Sequence, residues 1–163
     1  MKPVAVVEDM VLETNLSGQD ARPLRVLVAE DNVINQRVIS ALLEQVGITP
    51  AIVDDGVKAV EAWSLGDWDL IFLDVCMPVM DGPTAARRIR SREIIEGRPR
   101  TPIIALTANV MNHQIEDYAQ AGMDQVVAKP IEVGVLFRTM EAALALASGE
   151  DAEILLDDQV GNA

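Results

Sequence analysis

A single cysteine, Cys76, excludes an internal disulfide and any zinc site built from several cysteines. Aromatic residues make up only 3% of the 163 residues, so the core must be assembled from Val, Ile, Leu, Ala and Met. Basic residues are scarce, 13 against 26 acidic ones, and the net charge of −13 opposes binding to nucleic acid or an anionic membrane surface. No apolar run approaches the ~20 residues of a membrane span, and the first 23 residues carry no signal-peptide core. A soluble, cytoplasmic protein is expected. Histidine is nearly absent too: His113 stands alone and reads as a surface residue of a helix. No nucleotide-binding signature is present.

Half the residues are apolar, enough for one core at this length. Residues 1–23 lack sustained periodicity and read as a tail or linker. Residues 148–163 form an acidic tail whose Ile154-Leu155-Leu156 could dock elsewhere. The folded unit is expected over 24–147. Within it, short apolar runs alternate with helical periodicity. Strands are expected at 24–29, 50–53, 69–73, 103–106 and 125–128. Ile39, Leu42, Leu43 and Val46 mark the apolar stripe of a first helix that Gly47 stops. A second helix spans 56–65 with Val57, Val60 and Ala62 inward. After a turn at Asp81-Gly82, a third runs through Ala85, Ala86, Ile89 and Ile94. Helices over 111–121 and 132–147 complete the pattern. Five consecutive βα units imply one parallel sheet with helices on both faces, joined by right-handed crossovers. Ligands of such sheets bind at the carboxyl ends of the strands.

The residues at those ends are Glu30 and Asp31, then Asp74, Thr107 and Lys129. Three carboxylates converging on one edge repel each other unless a cation lies among them. A hard divalent ion that keeps several waters fits best, which means Mg²⁺. Lys129 then suits a phosphoryl oxygen, Thr107 can donate to another, and Asp74 remains as the nucleophile. Each has a plainer role open to it: Asp31 and Thr107 as helix caps, Lys129 as a surface lysine. The combination at successive strand ends favours the chemical role.

The ordered segments Val26-Leu27-Val28-Ala29-Glu30-Asp31-Asn32, Leu73-Asp74-Val75-Cys76-Met77-Pro78-Val79-Met80-Asp81-Gly82, Ala105-Leu106-Thr107-Ala108, Ala121-Gly122-Met123-Asp124 and Ala128-Lys129-Pro130 resemble the receiver domain of two-component response regulators. The style of Ala29-Glu30-Asp31-Asn32 and Leu106-Thr107-Ala108-Asn109 is similar to receivers of hybrid histidine kinases. The resemblance implies an α/β, flavodoxin-like (βα)₅ fold with strand order 2-1-3-4-5. It also implies phosphorylation of Asp74 from a histidine kinase or histidine phosphotransfer protein. Mg²⁺ would be held by Asp31, Asp74 and the backbone carbonyl of Cys76, with Glu30 helping through water. Thr107 and Lys129 would contact the phosphoryl group. The Lys129–Pro130 bond is often cis in such domains. Self-phosphorylation from a donor asks mainly for positioning and charge neutralisation, which so small a domain can supply.

One departure is Val126, three residues before Lys129, where the family usually has an aromatic that moves with the hydroxyl residue. A receiver used only as a phosphorylation-independent binding module therefore stays open as an alternative. A flavodoxin-like cofactor binder conflicts with Glu30 and Asp31 after the first strand. An aspartate-nucleophile phosphatase would carry an acid where Cys76 stands. The six arginines between Arg87 and Arg100 are interleaved with Glu93 and Glu96, as in a solvated helix face. On the first helix, Ile34 and Val38 lie off the buried stripe near Asp31. With Pro130 and Ile131 they are expected to ring the pocket and dock a helical-bundle donor.

Overall fold

The computed structural model describes residues 22–149. Ile154-Leu155-Leu156 and most of both expected tails lie outside them. Ten elements alternate: β1 (Val26–Ala29), α1 (Val33–Glu44), β2 (Ala51–Val53), α2 (Gly56–Leu65) and β3 (Leu70–Asp74), then α3 (Gly82–Glu96), β4 (Ile103–Thr107), α4 (Asn112–Gln120), β5 (Gln125–Ala128) and α5 (Val133–Ser148). The strands form one parallel sheet in the order β2-β1-β3-β4-β5, as the resemblance implied. The strand order reverses between β1 and β3, so the crevice at their carboxyl ends is the place such a sheet offers a ligand.

The three central strands are buried on both faces, and their alternate residues serve opposite layers. Val26, Val28, Leu70, Phe72, Ile104, Leu106 and Val127 pack with α1 and α5, which contribute Ile39, Leu43, Leu136 and Met140. Leu27, Ala29, Ile71, Leu73, Ile103 and Ala105 face the other way. They meet Ala59 and Trp63 of α2, Ala85, Ala86 and Ile89 of α3, and Tyr118 of α4. The alanines on this side let the helices approach the sheet closely.

Three expectations need correction. In α2 the buried positions are Gly56, Ala59 and Trp63, while Val57, Val60 and Ala62 are only half-buried at the flanks. Gly56 is demanded by close approach: its N–H donates to the Met80 carbonyl at 3.0 Å, and a β-carbon would collide with that oxygen. In α3 Ile94 is 82% exposed and Glu93 takes the inward position. There Glu93 receives Arg90 Nη1 at 2.9 Å and the Thr101 N–H at 2.8 Å. Asp81-Gly82 is not a free turn: Asp81 caps α3 by accepting from the Thr84 N–H at 2.9 Å, and Gly82 is its first residue.

The arginines of 87–100 are largely committed within the domain. Arg90 and Arg100 pair with Asp124, Arg92 with Glu96, and the Arg98 guanidinium lies 3.8 Å from the Trp63 ring centroid. No helix among the described residues is long and apolar enough to cross a membrane.

Candidate functional site

Parallel register sets the strand ends side by side. Ala29 pairs with Leu73, Asp74 with Leu106 and Thr107 with Ala128. The residues just past β1 and β5, and those ending β3 and β4, therefore share one edge. The edge opens into a cleft of about 260 Å³ lined by Glu30, Asp31, Asp74, Thr107 and Lys129 together with Val75 and Cys76. All five strand-end residues predicted from the sequence come together there.

Glu30 is fully buried. One oxygen accepts from the Asn32 N–H at 3.0 Å and the other lies 2.9 Å from Lys129 Nζ. Lys129 Nζ also reaches Asp74 Oδ1 at 3.0 Å, so one ammonium bridges two carboxylates. Lys129 is thus not a solvated surface residue. Its own N–H donates to the Thr107 carbonyl at 2.8 Å, and its peptide bond to Pro130 is cis, as expected. Asp31 is exposed at the cleft mouth and does not cap α1. Asn32 does that, accepting from the Asn35 N–H at 3.1 Å, which leaves the Asp31 carboxylate free for other work. Nor does Thr107 cap α4, whose N-cap Met111 has no side-chain hydrogen bond.

One oxygen from each of Glu30, Asp31 and Asp74 lies within 4.8 Å of the others. The electrostatics follow from that crowding. Burial, then the neighbouring Glu30 carboxyl, pushes Asp74 up to about 7, against the opposing pull of Lys129. Burial also acts to raise Glu30. Hydrogen bonds with Asp74, the Asn32 N–H and Lys129 outweigh it and hold Glu30 below the usual range. Burial would lower the Lys129 ammonium, but its contacts with Glu30 and Asp74 raise it instead. Two carboxyls beside one ammonium thus retain a proton near neutral pH. A hard divalent cation offered three carboxylate oxygens would displace that proton, so the donor set fits Mg²⁺.

Gly82 fixes the acidic corner. Its N–H donates to the Val75 carbonyl at 3.0 Å, and a β-carbon would strike the Asp74 carbonyl oxygen. The start of α3 is therefore clamped against the backbone of the central aspartate. The Asp74 carboxylate is oriented further by the Cys76 N–H, 3.3 Å from Oδ1. Cys76 lines the cleft and is exposed.

Around the mouth, Ile34 is 71% exposed, and Val38 and Pro130 are exposed as expected. Ile131 departs from the expected apolar ring: it is half-buried and packs on the core beside α5. Val33, more than half exposed beside Ile34, was missed. So were Asn32 and Asn35, which line the cleft, and Tyr118, whose hydroxyl lies 3.1 Å from Thr107 Oγ1. Asn35 had a legible signal, lying one helical turn past Asp31. Tyr118 also had one, as the lone aromatic of a polar helix.

The response regulator receiver domain profile matches residues 26–141. The peroxide stress-activated histidine kinase mak1 of Schizosaccharomyces pombe is 42% identical over 109 residues, which is 65% of this chain and 7% of that kinase. The chain therefore spans only a small part of such full-length relatives. Among solved structures, the receiver domain of sensor histidine kinase PA1611 from Pseudomonas aeruginosa PAO1 is 39% identical with a TM-score of 0.67. The match covers 75% of this chain and 98% of that one, and that structure has a magnesium ion coordinated in its active site cleft. A chain of the co-crystal structure of the Saccharomyces cerevisiae phosphotransfer protein Ypd1 and the receiver domain of Ssk1 matches at 31% identity and a TM-score of 0.69. It covers 76% of this chain and 91% of its own. With the profile spanning the sheet, its helices and every strand-end residue of the cleft, the chain belongs to the response regulator receiver domain family.

Proposed function

We propose that this receiver accepts a phosphoryl group on Asp74 from the phosphohistidine of a histidine kinase or histidine phosphotransfer protein, as one step of a phosphorelay. One observation carries the reading: three carboxylates gathered at the switch point, with a single ammonium bridging the two buried ones. In the transfer, an Asp74 oxygen bonds to phosphorus as the phosphorus–nitrogen bond of the donor breaks, and the bonding pair returns to the imidazole. Glu30, Asp31, Asp74 and the Cys76 backbone carbonyl would hold Mg²⁺, which supplies charge neutralisation for the carboxylates and the incoming phosphoryl oxygens. Lys129 sits close enough to Asp74 to contact the phosphoryl group once it is there, and Thr107 lines the same cleft. The Glu30 hydrogen bond with the Asn32 N–H and the Gly82 clamp keep the acidic corner in place throughout.

The unit that does this spans residues 24–147, with 1–23 and 148–163 as linker and tail. Ile34, Val38 and Pro130, with Val33 beside them and Ile131 at the inner edge, form the surface that meets the donor. A donor's histidine must pass that rim to reach Asp74, so the exposed residues around it are the ones a helical-bundle donor would meet. Such a domain works in the cytoplasm, beside the kinase domains that load its donors.

The test is labelling by acetyl phosphate. Wild type with Mg²⁺ should gain one acid-stable, base-labile phosphoryl group, and Asp74→Asn should gain none. Equal labelling of the variant, or labelling unaffected by EDTA, refutes the assignment.

A further inference from the structure

We propose that Tyr118 is the residue through which the Thr107 hydroxyl is held at rest and through which α4 responds when the cleft is filled; this rests on the phosphoacceptor reading above. Thr107 Oγ1 accepts the Asn109 N–H at 3.0 Å, lies 3.1 Å from the Tyr118 hydroxyl and is 3.2 Å from the Asn109 carbonyl oxygen. The Tyr118 hydroxyl is itself 3.3 Å from that carbonyl. Two hydroxyl protons thus serve three oxygens in a closed triangle. A threonine hydroxyl has one proton. Whether it goes to Tyr118 or to Asn109, it is used inside the triangle. Thr107 can donate to a phosphoryl oxygen only by breaking that bond.

The consequence reaches α4 because of how that helix is attached. Tyr118 is the one buried residue of Asn112–Gln120, and the helix begins at Met111 without a side-chain cap. Its hold on the domain therefore runs through the ring and hydroxyl of Tyr118. On the neighbouring strand Val126 stands where an aromatic was expected, and it packs, partly buried, against the same cluster as Tyr118. The aromatic next to Thr107 is supplied by α4 rather than by β5. When Thr107 turns to the cleft, Tyr118 loses a partner and α4 loosens.

Tyr118 is the only tyrosine in the chain, so a protein carrying ¹³Cζ-tyrosine gives one NMR signal that reports this hydroxyl directly. Beryllofluoride with Mg²⁺ serves as the phosphoryl probe, and ¹⁹F NMR measures its binding. Saturation should shift the wild-type tyrosine signal, and Mg²⁺ alone should not. Amides of residues 112–120 should exchange faster with the probe bound. Tyr118→Phe keeps the ring but removes the shorter of the two contacts that hold the Thr107 hydroxyl, leaving the 3.2 Å one to the Asn109 carbonyl. It should therefore bind the probe about threefold tighter, the low end of the scale of one intramolecular hydrogen bond. Saturated binding with an unmoved tyrosine signal overturns the proposal without needing the variant, and so does unchanged or weaker binding by Tyr118→Phe. Wild type that binds no beryllofluoride overturns the phosphoacceptor reading itself, a result distinct from either.

Discussion

Asp74→Asn should stabilise the metal-free domain at pH 8 and lose that advantage as the pH falls. Asp74 is buried, and its carboxyl is raised from an ordinary 3.8 to about 7 by burial and by Glu30. A carboxyl raised on folding binds its proton more tightly in the folded state. Its contribution to stability is therefore full below pH 4 and is lost as the pH climbs through 7. At ~1.4 kcal/mol per pH unit, the whole shift corresponds to about 4 kcal/mol, of which about 2–3 kcal/mol falls between pH 5 and pH 8. Asparagine resembles the protonated acid and carries none of this dependence. In urea denaturation with EDTA, the variant should exceed wild type at pH 8, and the gap should narrow by about 2–3 kcal/mol at pH 5. Groups outside the Glu30, Asp74 and Lys129 cluster titrate equally in both proteins and cancel. Millimolar Mg²⁺ at pH 8 should close the gap from the other side, because it binds the folded wild type only. A gap that stays constant within about 0.5 kcal/mol from pH 5 to pH 8 would mean that Asp74 ionises like a solvent-exposed acid, and the crowding argument would fall.

Lys129→Ala removes the ammonium that both Glu30 and Asp74 contact, and should cost the metal-free domain about 1–3 kcal/mol at pH 8. Thermal melts should show a larger Mg²⁺ stabilisation in this variant than in wild type; an equal one would mean that Lys129 does not share the carboxylates. Val79 holds φ +71° while 82% exposed, so Val79→Gly should relieve strain at no packing cost and gain about 1 kcal/mol, read from urea midpoints. A loss of stability would show that the valine is held by contacts its exposure conceals. Ile34→Asp should slow phosphotransfer from a phosphotransfer protein at least tenfold, about 1.4 kcal/mol, and leave acetyl phosphate labelling unchanged. Loss with both donors would indicate a damaged fold, and loss with neither would remove Ile34 from the interface.

The cleft was legible because of the sheet that carries it. Strands buried on both faces read as short apolar runs, so a carboxylate, hydroxyl or ammonium immediately after each run stands out in the sequence. The helix faces were harder to read, and for a definable reason. Ile94 beside Glu93 looks like the inward residue until Arg90 and the Thr101 N–H are found around the glutamate. A helical wheel carries no information about such partners. In α2, Gly56 and Ala59 lie inward because Met80 and the sheet approach closely, whereas periodicity ranks valines above them. Tyr118 was passed over because its significance depends on Thr107, eleven residues away across the β4–α4 connection. Side chains at strand ends could be placed from topology alone; those defined by a partner on another element could not.

The two sides of the cleft differ in how they can yield. At the β3–α3 corner, Gly82 lies against the Asp74 carbonyl and Gly56 against Met80, with no space for even a methyl group. That wall cannot retreat when charge and volume are added in front of Asp74 without breaking backbone hydrogen bonds at Val75 and Met80. The opposite wall ends in α4, attached by one buried side chain and a shared triangle of hydroxyl and carbonyl oxygens. Breaking one neutral hydrogen bond there costs about 0.5–1.5 kcal/mol, against several for displacing packed backbone on the other side. An added phosphoryl group is therefore expected to be accommodated toward α4. The exposed Val110, Met111 and Ile115 beside or on that helix should then shift on phosphorylation, while the frame that orients Asp74 should not.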